Sequence, residues 1–583
     1  KSTDGGNTYI PLTDNLPSFS IFSLTLDPTN PNIIYAGTGE ISGYYGTGLL
    51  KSTNGGQSWT TLGQNEFAGM VVSSIVIHPS NSNLLYVATA HPLAHLGKNT
   101  ALAGVFRSTN GGQSWEALLQ CNQACYGFTD LVMEDTNPQV LYAAFASGGI
   151  YKTTNGGNSW APVPNFPDRG YVRIELGIGR GAGSGTIYAG LAARVNVGGQ
   201  IKPWGIIFKS TDHGQTWVQL QNAPNYCSSQ CNYDNIAVDP RNAYVVYIGG
   251  SFVSQGNRWA GMVHKSTDGG QTWQDMTPGT ALNRVVHPDM HAIALDPTNP
   301  DIVWIGNDGG LFRSTNGGQT WEQRNGNLAT LQFVNIGVHP TNRDIAFGGL
   351  QDNAKAKYDG TKWVGLDTGD GGYSEIDPFN PNIWYSTRFN LQGVVVQFQR
   401  NMKAGTASLG DWQQLAQGID INDRMEFYVP FTLDRSSSGV IYLGTHRLYR
   451  TANRGDSWTV ISGDLTKGQQ TGGTITTIGV APNDPQTIYV GTSDGNVQVT
   501  RNRGGSWTNV TKAPLPNRQV SDFAISPTAA GTAYVVFNGY DTHTPGSPGH
   551  VFKTTNAGQS WQNISNNLPD IPVLTIVIDP QNP

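Results

Sequence analysis

Short apolar runs alternate with clusters of turn residues along the chain, and this pattern predicts β-strands. In one unit, Phe22–Leu26 precedes the turn Asp-Pro-Thr-Asn-Pro (27–31), and the runs Ile-Ile-Tyr-Ala-Gly (33–37), Gly-Leu-Leu-Lys-Ser (48–52) and Ser-Trp-Thr-Thr-Leu (58–62) follow. β-branched and aromatic residues favour strands. Pro fixes φ, and Asn and Asp bond their own backbone, so such residues form turns. Each unit therefore reads as four strands, A to D.

A motif of the form S/T-x-[D/N]-x-G-x-x-W, the Asp-box, marks the turn between strands C and D. Its closing aromatics recur every 42 to 57 residues, a period typical of four-stranded propeller blades. Degenerate copies lie at Tyr358–Trp363 and near Trp412, and Ser2–Tyr9 is a copy that ends in Tyr. The complete copies are Ser52–Trp59, Ser108–Trp115, Thr153–Trp160, Ser210–Trp217, Ser266–Trp273, Ser314–Trp321, Thr451–Trp458, Thr500–Trp507 and Thr554–Trp561.

The residue types of the Asp-box have a mechanical explanation. The Asp or Asn side chain accepts backbone N–H bonds across the hairpin, and the Gly permits a positive φ. The Trp that closes the motif can pack between neighbouring blades. Because the same polar residues recur in ten units, we interpret them as structural and not as catalytic.

The motif count predicts an all-β protein built of tandem β-propellers. Twelve units are present, the first only by its end, and a thirteenth begins at Leu574–Pro583, so we expect the chain to start and stop within a blade. Single propellers usually hold about four to eight blades. We therefore predict two seven-bladed rings, the second incomplete: residues 1–330 with about seven blades, and residues 331–583 with about five plus a truncated one. One ring of about ten or more blades is the alternative.

Composition and charge narrow the class of partner. Gly is frequent, at 73 residues, and charged residues make up only 13%, which fits a turn-rich all-β protein. The net charge is −6 without a basic cluster, so no nucleic acid partner is expected. No apolar run reaches the roughly 18 residues of a membrane span. A segment before residue 1 is expected to be missing, so the lack of a signal peptide decides nothing.

Four cysteines occur as two close pairs, Cys121/Cys125 and Cys227/Cys231. Four cysteines could hold zinc, but both pairs are spaced C-x3-C in Gly/Asn/Ser-rich loops without a zinc-ribbon pattern. We predict disulfides, formed either within each loop or between the two loops. Disulfides favour an oxidising, extracellular setting.

Loop topology separates a regular face of the blades from a variable one. The A–B turns and Asp-boxes share one face, whereas the B–C and D–A loops share the other, the variable-loop face, where function is expected. Residues directly after strand B reach this face. The binding candidates are Glu40, His91, Asp308, Asp352, Arg388 and His446, together with Trp204 and Trp259. Aromatic rings crowd the same loops and can stack on sugars or anchor a protein partner; alternatively, they pack within their own loops. These rings are Tyr44, Tyr45, Tyr126, Phe128, Tyr171, Trp204, Tyr226, Trp259, Phe427 and Tyr428.

Two further sets of residues carry candidate chemistry. His287, Asp289 and His291 alternate along an inner strand, so their side chains share one face and could bind a structural metal ion; alternatively, they bond backbone and water. No other cofactor is predicted. Asp308, Asp352 and Asp370 are the candidate catalytic carboxylates, although the Gly-Asp-Gly-Gly sequence around Asp370 also suits a tight D–A turn.

The Asp-boxes and the D-P-x-N-P-x-x-I-Y-A-G-T strands resemble the bacterial secreted BNR/Asp-box repeat proteins, a group often labelled sortilin-like or glycosyl hydrolase. Segments 37–40, 306–310, 348–353, 369–372 and 493–500 share the resemblance. It covers essentially the whole chain and extends to ten-bladed sortilin-type domains and to the tandem propellers of family 74 xyloglucanases. It implies a propeller that is secreted or at the cell surface of a bacterium or archaeon. Fold alone does not imply a reaction.

Three functions follow from these patterns. The favoured one is an extracellular binding or scaffold propeller for a protein or glycan ligand, acting alone or within a larger assembly. The alternative is a xyloglucanase-like glycoside hydrolase with two carboxylates in the cleft between propellers, but the first blade, where that family keeps one catalytic Asp, is mostly absent. A sialidase is disfavoured because its Arg-Ile-Pro signature is missing.

Overall fold

The structure is a computed structural model of the 583-residue chain. It describes all residues except 15, 17–19, 42–44, 68, 93–101, 122–124, 147, 168–172, 198–199, 228–234, 252, 256–257, 278–285, 368, 390–395, 406–410, 541–543, 545 and 580–583. Two compact units, Lys1–Thr330 (unit 1) and Leu331–Pro583 (unit 2), divide the chain. The predicted all-β fold of four-stranded blades is confirmed, because eleven four-stranded sheets account for nearly all strands in the described ranges.

Unit 1 contains six of these sheets, each with its strands in chain order from A to D. A two-stranded hairpin, β19–β20 (Val253–Gln255 and Arg258–Ala260), is inserted between strands B and C of the fifth sheet. The blades are β1–β4 (Ile21–Leu26, Ile34–Thr38, Leu49–Ser52, Thr60–Leu62), β5–β8 (Val71–His78, Asn81–Ala90, Gly104–Ser108, Glu116–Gln120), β9–β12 (Phe128–Met133, Leu141–Phe145, Gly149–Thr153, Ala161–Pro162), β13–β16 (Arg173–Ile178, Ile187–Val197, Gln200–Ser210, Val218–Gln219), β17–β22 (Asn235–Asp239, Asn242–Gly249, Val253–Gln255, Arg258–Ala260, Val263–Ser266, Gln274–Asp275) and β23–β26 (Met290–Leu295, Val303–Asn307, Gly310–Ser314, Glu322–Gln323).

Unit 2 contains five sheets of the same topology, and the two degenerate repeats form complete blades within it. Its blades are β27–β30 (Phe333–Val338, Ala346–Leu350, Ala354–Tyr358, Trp363–Gly365), β31–β34 (Gly371–Ile376, Trp384–Arg388, Phe398–Asn401, Trp412–Gln414), β35–β38 (Phe431–Leu433, Ile441–Gly444, Leu448–Thr451, Thr459–Val460), β39–β42 (Ile475–Val480, Ile488–Thr492, Val497–Thr500, Thr508–Asn509) and β43–β46 (Val520–Ile525, Ala533–Phe537, Val551–Thr554, Gln562–Asn563). The described helical segments, Gln64–Phe67, Gly181–Gly183 and Gln469–Thr471, span one turn each, and none is long and apolar enough to cross a membrane.

Each Asp-box is closed by its own polar side chains. In the second blade, the buried Ser108 hydroxyl accepts the Gly112 amide at 2.8 Å and donates to Asn110 Oδ1 at 2.9 Å. Asn110 Oδ1 also accepts the Ser114 amide at 3.0 Å. Gly112 has a φ of +92°, which glycine adopts without steric cost. These bonds fix the C–D hairpin, as its sequence predicts.

A degenerate box reaches the same geometry with a different residue. Between β33 and β34, Asn401 stands at the place of the box Ser, and its Oδ1 accepts the amides of Lys403 at 2.7 Å and Gly405 at 3.2 Å. The Ala404 amide donates to the carbonyl of Asn382 in the A–B turn at 2.8 Å. A side-chain carbonyl therefore replaces a hydroxyl as the acceptor.

The A–B turn and the Asp-box of each blade are bonded to one another. In the first blade, the Gly55 amide of the box donates to the carbonyl of Asn32 at 2.8 Å, and in the second the Gly111 amide donates to Asn83 at 3.0 Å. The same bond recurs from Gly156, His213, Gly269, Gly317, Arg454, Arg503 and Ala557. Both turns therefore form one fixed surface in each of these blades.

A repeated contact joins each blade to the next. Tyr86 of strand B and Arg107 of strand C are cross-strand partners, and both donate to the carbonyl of Gly156 in the following Asp-box, each at 2.9 Å. We call this contact the inter-blade latch. The basic residue at the position of Arg107 donates in the same way to a carbonyl of the following box in six further blades. The pairs are Lys51–Gly111, Lys152–His213, Lys209–Gly269, Lys265–Gly317, Lys357–Ala404 and Arg400–Arg454.

The innermost strands of successive blades are linked by small polar side chains. The hydroxyls of Ser23, Ser73 and Thr129 each donate to a carbonyl of the next A strand, at 2.6–2.7 Å. Apolar clusters fill the space between successive blades, and the indole N–H of Trp321 reaches the carbonyl of Met276 in the preceding blade at 2.9 Å. The closing Trp thus packs between blades, as expected.

The amino-terminal segment contacts both ends of unit 1. Lys1 Nζ donates to the carbonyl of Gly55 in the first four-stranded blade at 3.4 Å. The Tyr9 hydroxyl donates to the carbonyl of Arg324 after the sixth at 2.6 Å. The number of blades in each ring stays a prediction.

The first cysteine pair forms a disulfide within its loop, between Cys121 and Cys125. Cys227 is disulfide-bonded as well, and Cys231 lies outside the described residues. The within-loop pairing, one of the two predicted alternatives, therefore holds for the first pair.

We predict that Ser108→Ala lowers the free energy of unfolding by about 1–3 kcal/mol, because the buried Gly112 amide loses its acceptor. The midpoint of urea unfolding, followed by tryptophan fluorescence, measures the change. Ser114→Ala is the control, since it removes an exposed hydroxyl of the same box and should cost less than about 0.5 kcal/mol. Equal losses in both variants would contradict this account of the box.

Candidate functional site

Five of the predicted binding residues belong to unit 1, and the four other than Asp308 lie on or directly after different strands. Glu40 is half-buried just after β2. His91, after β6, is buried, and neither ring nitrogen has a hydrogen-bond partner among the described residues; burial lowers the pKa of this imidazole, which favours its neutral form. Trp204 of β15 is 38% exposed. Trp259 belongs to β20, but its side chain lies outside the described part.

The three residues predicted to bind a metal ion lie at the start of β23 or directly before it, and their side chains have different partners. His291 Nε2 lies 2.5 Å from Asp308 Oδ1, and carboxylate oxygens of Asp289 and Asp308 lie within 4.8 Å of one another. His287 is buried, with Nδ1 3.1 Å from the carbonyl of Pro288. Among the described residues His287, Asp289 and His291 do not form one compact set of ligand atoms. A metal ion here stays a prediction.

In unit 2, Asp370 is the centre of a polar cluster on the variable-loop face. It lies in the D–A loop immediately before β31, and its Oδ1 accepts the Tyr428 hydroxyl at 2.8 Å and the Asp352 amide at 3.1 Å. Asp352 and Ala354 have φ values of +58° and +59°. Positive φ costs energy in residues other than Gly, and the chain adopts it in structural turns as well, at His213, Arg454, Arg503 and Ala557 of the Asp-boxes. The structure thus brings together two of the three candidate carboxylates.

A buried ion triad adjoins this cluster. Asp367 Oδ2 lies 3.3 Å from Lys355 Nζ and 3.2 Å from Arg388 Nη1. Lys355 is completely buried, donates to Gln399 Oε1 at 2.7 Å and lies 3.9 Å from the centre of the Trp412 ring. Burial lowers the pKa of Lys355 to about 8, although Asp367 opposes the shift. Arg388, a predicted binding residue, is therefore held by Asp367.

Sequence reasoning did not single out Lys355, although a signal was present. Lys355 stands two residues before the latch residue Lys357, and the same position in other blades holds Leu49, Val105 and Ile150. Those three side chains are buried and apolar. A lysine in a column of apolar residues predicts a buried cation that needs a partner.

Aromatic rings border the Asp370 cluster. Phe427 stacks on Phe389 with ring centroids 5.8 Å apart, and its ring meets that of Tyr428 edge-on at 4.8 Å. Phe427 is 48% exposed. We call Phe389, Phe427, Tyr428 and Asp370 the aromatic–carboxylate patch.

His446, the remaining candidate of unit 2, belongs to a structural network. Its Nδ1 lies 3.8 Å from Asp423 Oδ1. Burial raises the pKa of Asp423, but hydrogen bonds from Arg447, Thr445 and Tyr449 hold that pKa below its usual value. This carboxylate is therefore charged and internally satisfied.

Comparisons with known proteins agree with the fold. The model of the Sortilin-Vps10 family (sortilin, neurotensin receptor 3) matches residues 446–572. An ancestral GH74 enzyme is similar in structure, with a TM-score of 0.62 and 17% identity over 94% of this chain and 78% of that one. The chain resembles both groups in fold.

Two further GH74 structures align over 94% of this chain. The enzyme from Niastella koreensis has 18% identity, 85% coverage of its own chain and a TM-score of 0.45. The xyloglucanase from Xanthomonas campestris has 15% identity, 86% coverage and a TM-score of 0.46. No curated protein matches the sequence.

We predict that the free energy of unfolding changes with pH in the alkaline range because of Lys355. Its lowered pKa means that, between about pH 8 and the usual lysine value near 10.4, the unfolded chain binds more protons than the folded chain. The free energy of unfolding should therefore rise across this window by about 1–3 kcal/mol relative to Lys355→Met.

Urea unfolding at about pH 7.5 and about pH 10 measures this difference. Lys357→Met, on the same strand, is the matched control and should keep the pH response of the wild type. A Lys355→Met variant with an unchanged pH response would contradict the prediction.

Proposed function

We propose that this protein is an extracellular propeller that binds a protein or glycan ligand through its variable-loop face and does not hydrolyse it. The observation that carries this proposal is the aromatic–carboxylate patch, where Phe427 is 48% exposed beside Asp370. An exposed ring next to a hydrogen-bonding carboxylate suits stacking on a sugar or anchoring of a side chain.

The packing of this patch favours recognition. Phe427 stacks on Phe389 and meets Tyr428 edge-on, so the ring is already ordered before a ligand arrives. Pre-ordering reduces the entropy lost on binding. The Tyr428 hydroxyl and the Asp352 amide both donate to Asp370 Oδ1, which fixes the carboxylate at the edge of the rings.

The bonding of the candidate carboxylates supports a role without catalysis. Asp308 pairs with His291, and Asp370 accepts two hydrogen bonds. The adjoining Asp367, which is not one of the candidates, is held between two cations. A glycosidase needs one carboxyl group that stays protonated as the acid and a second at a fixed distance. These carboxylates are instead engaged by groups of the protein itself.

The disulfide between Cys121 and Cys125 supports the proposed location. Disulfides persist in oxidising compartments, outside the cytosol. This bond lies in a D–A loop, on the same face of its blade as the other variable loops, and it constrains the loop that it closes.

We predict that Phe427→Ala weakens ligand binding at least about tenfold, as expected when an aromatic anchor is removed. The assay immobilises the full chain and measures retention of soluble polysaccharides, xyloglucan included, and of a displayed random-peptide library. Phe379→Ala is the matched control, because Phe379 is 50% exposed in the A–B turn of the same region. Equal retention by both variants would overturn the assignment of this patch.

A glycoside hydrolase is the second candidate, and one distance favours it. Oxygens of Asp289 and Asp308 lie within 4.8 Å of one another, near the roughly 5–5.5 Å that separates the carboxyl groups of retaining enzymes. His291 bonds Asp308 directly.

We predict that the full chain releases no reducing ends from a polysaccharide panel. The reducing-sugar assay is repeated with Asp308→Asn, Asp352→Asn and Asp370→Asn. Robust hydrolysis that is lost in any of these variants would replace the binding proposal with the hydrolase. Hydrolysis that persists in all three would point to a contaminating activity.

A further inference from the structure

The chain contains six Asn-Gly pairs, and the hydrogen bonds around one of them differ from those around the other five. The pairs begin at Asn54, Asn110, Asn155, Asn316, Asn325 and Asn538. Asparagine followed by glycine is the sequence most prone to deamidation, because a residue without a side chain leaves its amide nitrogen open to approach the neighbouring carboxamide. That reaction requires the amide nitrogen to reach Cγ.

Four of the pairs lie in Asp-boxes, where the geometry blocks the reaction. The amides of Gly55, Gly111, Gly156 and Gly317 donate to A–B turn carbonyls at 2.8–3.0 Å and so point away from the carboxamide. The carboxamides are held by the box itself; that of Asn54, for example, donates to Ser58 Oγ at 2.8 Å and accepts the Ser58 amide at 2.9 Å.

The fifth pair is protected by a different clamp. Asn325 Oδ1 accepts the Leu311 amide, and its Nδ2 donates to the carbonyl of Gly309, each at 2.7 Å. Both ends of this carboxamide are therefore hydrogen-bonded, the oxygen to strand β25 and the nitrogen to the residue directly before it. Rotation toward Gly326 would break two short hydrogen bonds, so the carboxamide is kept away from that amide.

Asn538 has the opposite arrangement. It is the first residue after β44, in a B–C loop of unit 2, and its Oδ1 accepts the amide of its own successor, Gly539, at 2.8 Å. Within the described part of the chain, its Nδ2 makes one hydrogen bond, a long one of 3.4 Å to Gln519 Oε1. Gly539 has a φ of +82°. The Gly539 nitrogen thus already lies against the carboxamide of Asn538.

From this contrast we infer that Asn538 is a site of spontaneous deamidation in the folded protein. The deprotonated Gly539 nitrogen attacks Cγ of Asn538, the C–N bond of the carboxamide breaks, and the nitrogen leaves as ammonia after taking up a proton. Water then opens the resulting succinimide at either carbonyl and yields aspartate or isoaspartate. Water is the only co-reactant, and proximity supplies the rate advantage.

The fold accepts a carboxylate at this position. In β23–β26 the residue immediately after strand B is Asp308, which is also followed by Gly. In β39–β42, Asp494 lies two residues after the end of strand B. Its carboxylate accepts hydrogen bonds from the hydroxyls of Thr471 and Thr492 and from the Lys467 amide. Conversion of Asn538 therefore adds a negative charge to the variable-loop face and takes the net charge one unit below −6.

The test measures deamidation site by site in the native full-length chain, incubated in mildly alkaline buffer and mapped by peptide mass spectrometry. We expect Asn538 to convert about tenfold or more faster than the other five sites, with isoaspartate detected there by methyltransferase labelling. In urea the protecting bonds are lost, so all six sites should convert at similar rates. Asn538→Gln, whose longer side chain displaces the carboxamide, should abolish the fast native reaction.

Asn538→Asp serves as the product standard, and its urea midpoint should match that of the wild type. The proposal is overturned if an Asp-box asparagine converts as fast as Asn538 in the folded chain, or if Asn538 stays intact until the chain unfolds. Should the Asp variant fold poorly, the site-resolved rates of the wild type still decide between these outcomes.

Discussion

The bond between the A–B turn and the Asp-box is the constraint on which the rest of each blade depends. It ties the amide after the box Asp or Asn to a carbonyl of the preceding turn, as from Gly55 to Asn32 and from Arg454 to Gly439. The box hydroxyl then fixes the C–D hairpin from within. With both turns held on one face, the register of all four strands is set, and the loops of the opposite face can vary without loss of the sheet.

The latch extends this order from one blade to the next. Tyr86 and Arg107 act together on a single carbonyl, and the same pair of positions does so in three further blades of unit 1, from Tyr35 and Lys51, Tyr142 and Lys152, and Tyr247 and Lys265. In unit 2 the basic residue donates from Lys357 and Arg400. Side-chain to carbonyl bonds between A strands add a second link near the centre. Repeat proteins gain stability from such nearest-neighbour terms, so each blade depends on its successor as well as on its own core.

Sequence predicted the local features of this protein well and its long-range contacts poorly. The box hairpins follow from residues close in sequence, and the packing of Trp321 on the preceding blade follows from the regular repeat of the motif. Asp370 and Tyr428 are 58 residues apart, and the Lys355–Asp367–Arg388 triad spans two blades, so spacing could not predict either. The role of Asn401 could have been predicted only by asking which other side chain can accept the box amides in place of the Ser hydroxyl. His446 was placed on the correct face, but its engagement with Asp423 depends on a loop contact.

The latch has a consequence for how such chains lengthen during evolution. Its donors contact a backbone carbonyl, and the residue that carries this carbonyl is Gly111 in one blade, His213 in another and Arg454 in a third. Because the side chain of the accepting residue takes no part in the hydrogen bond, a newly duplicated blade can form the latch with any neighbouring blade that presents this carbonyl. Gene duplication can thus add blades without matched substitutions, while the loops of each copy are left to diverge.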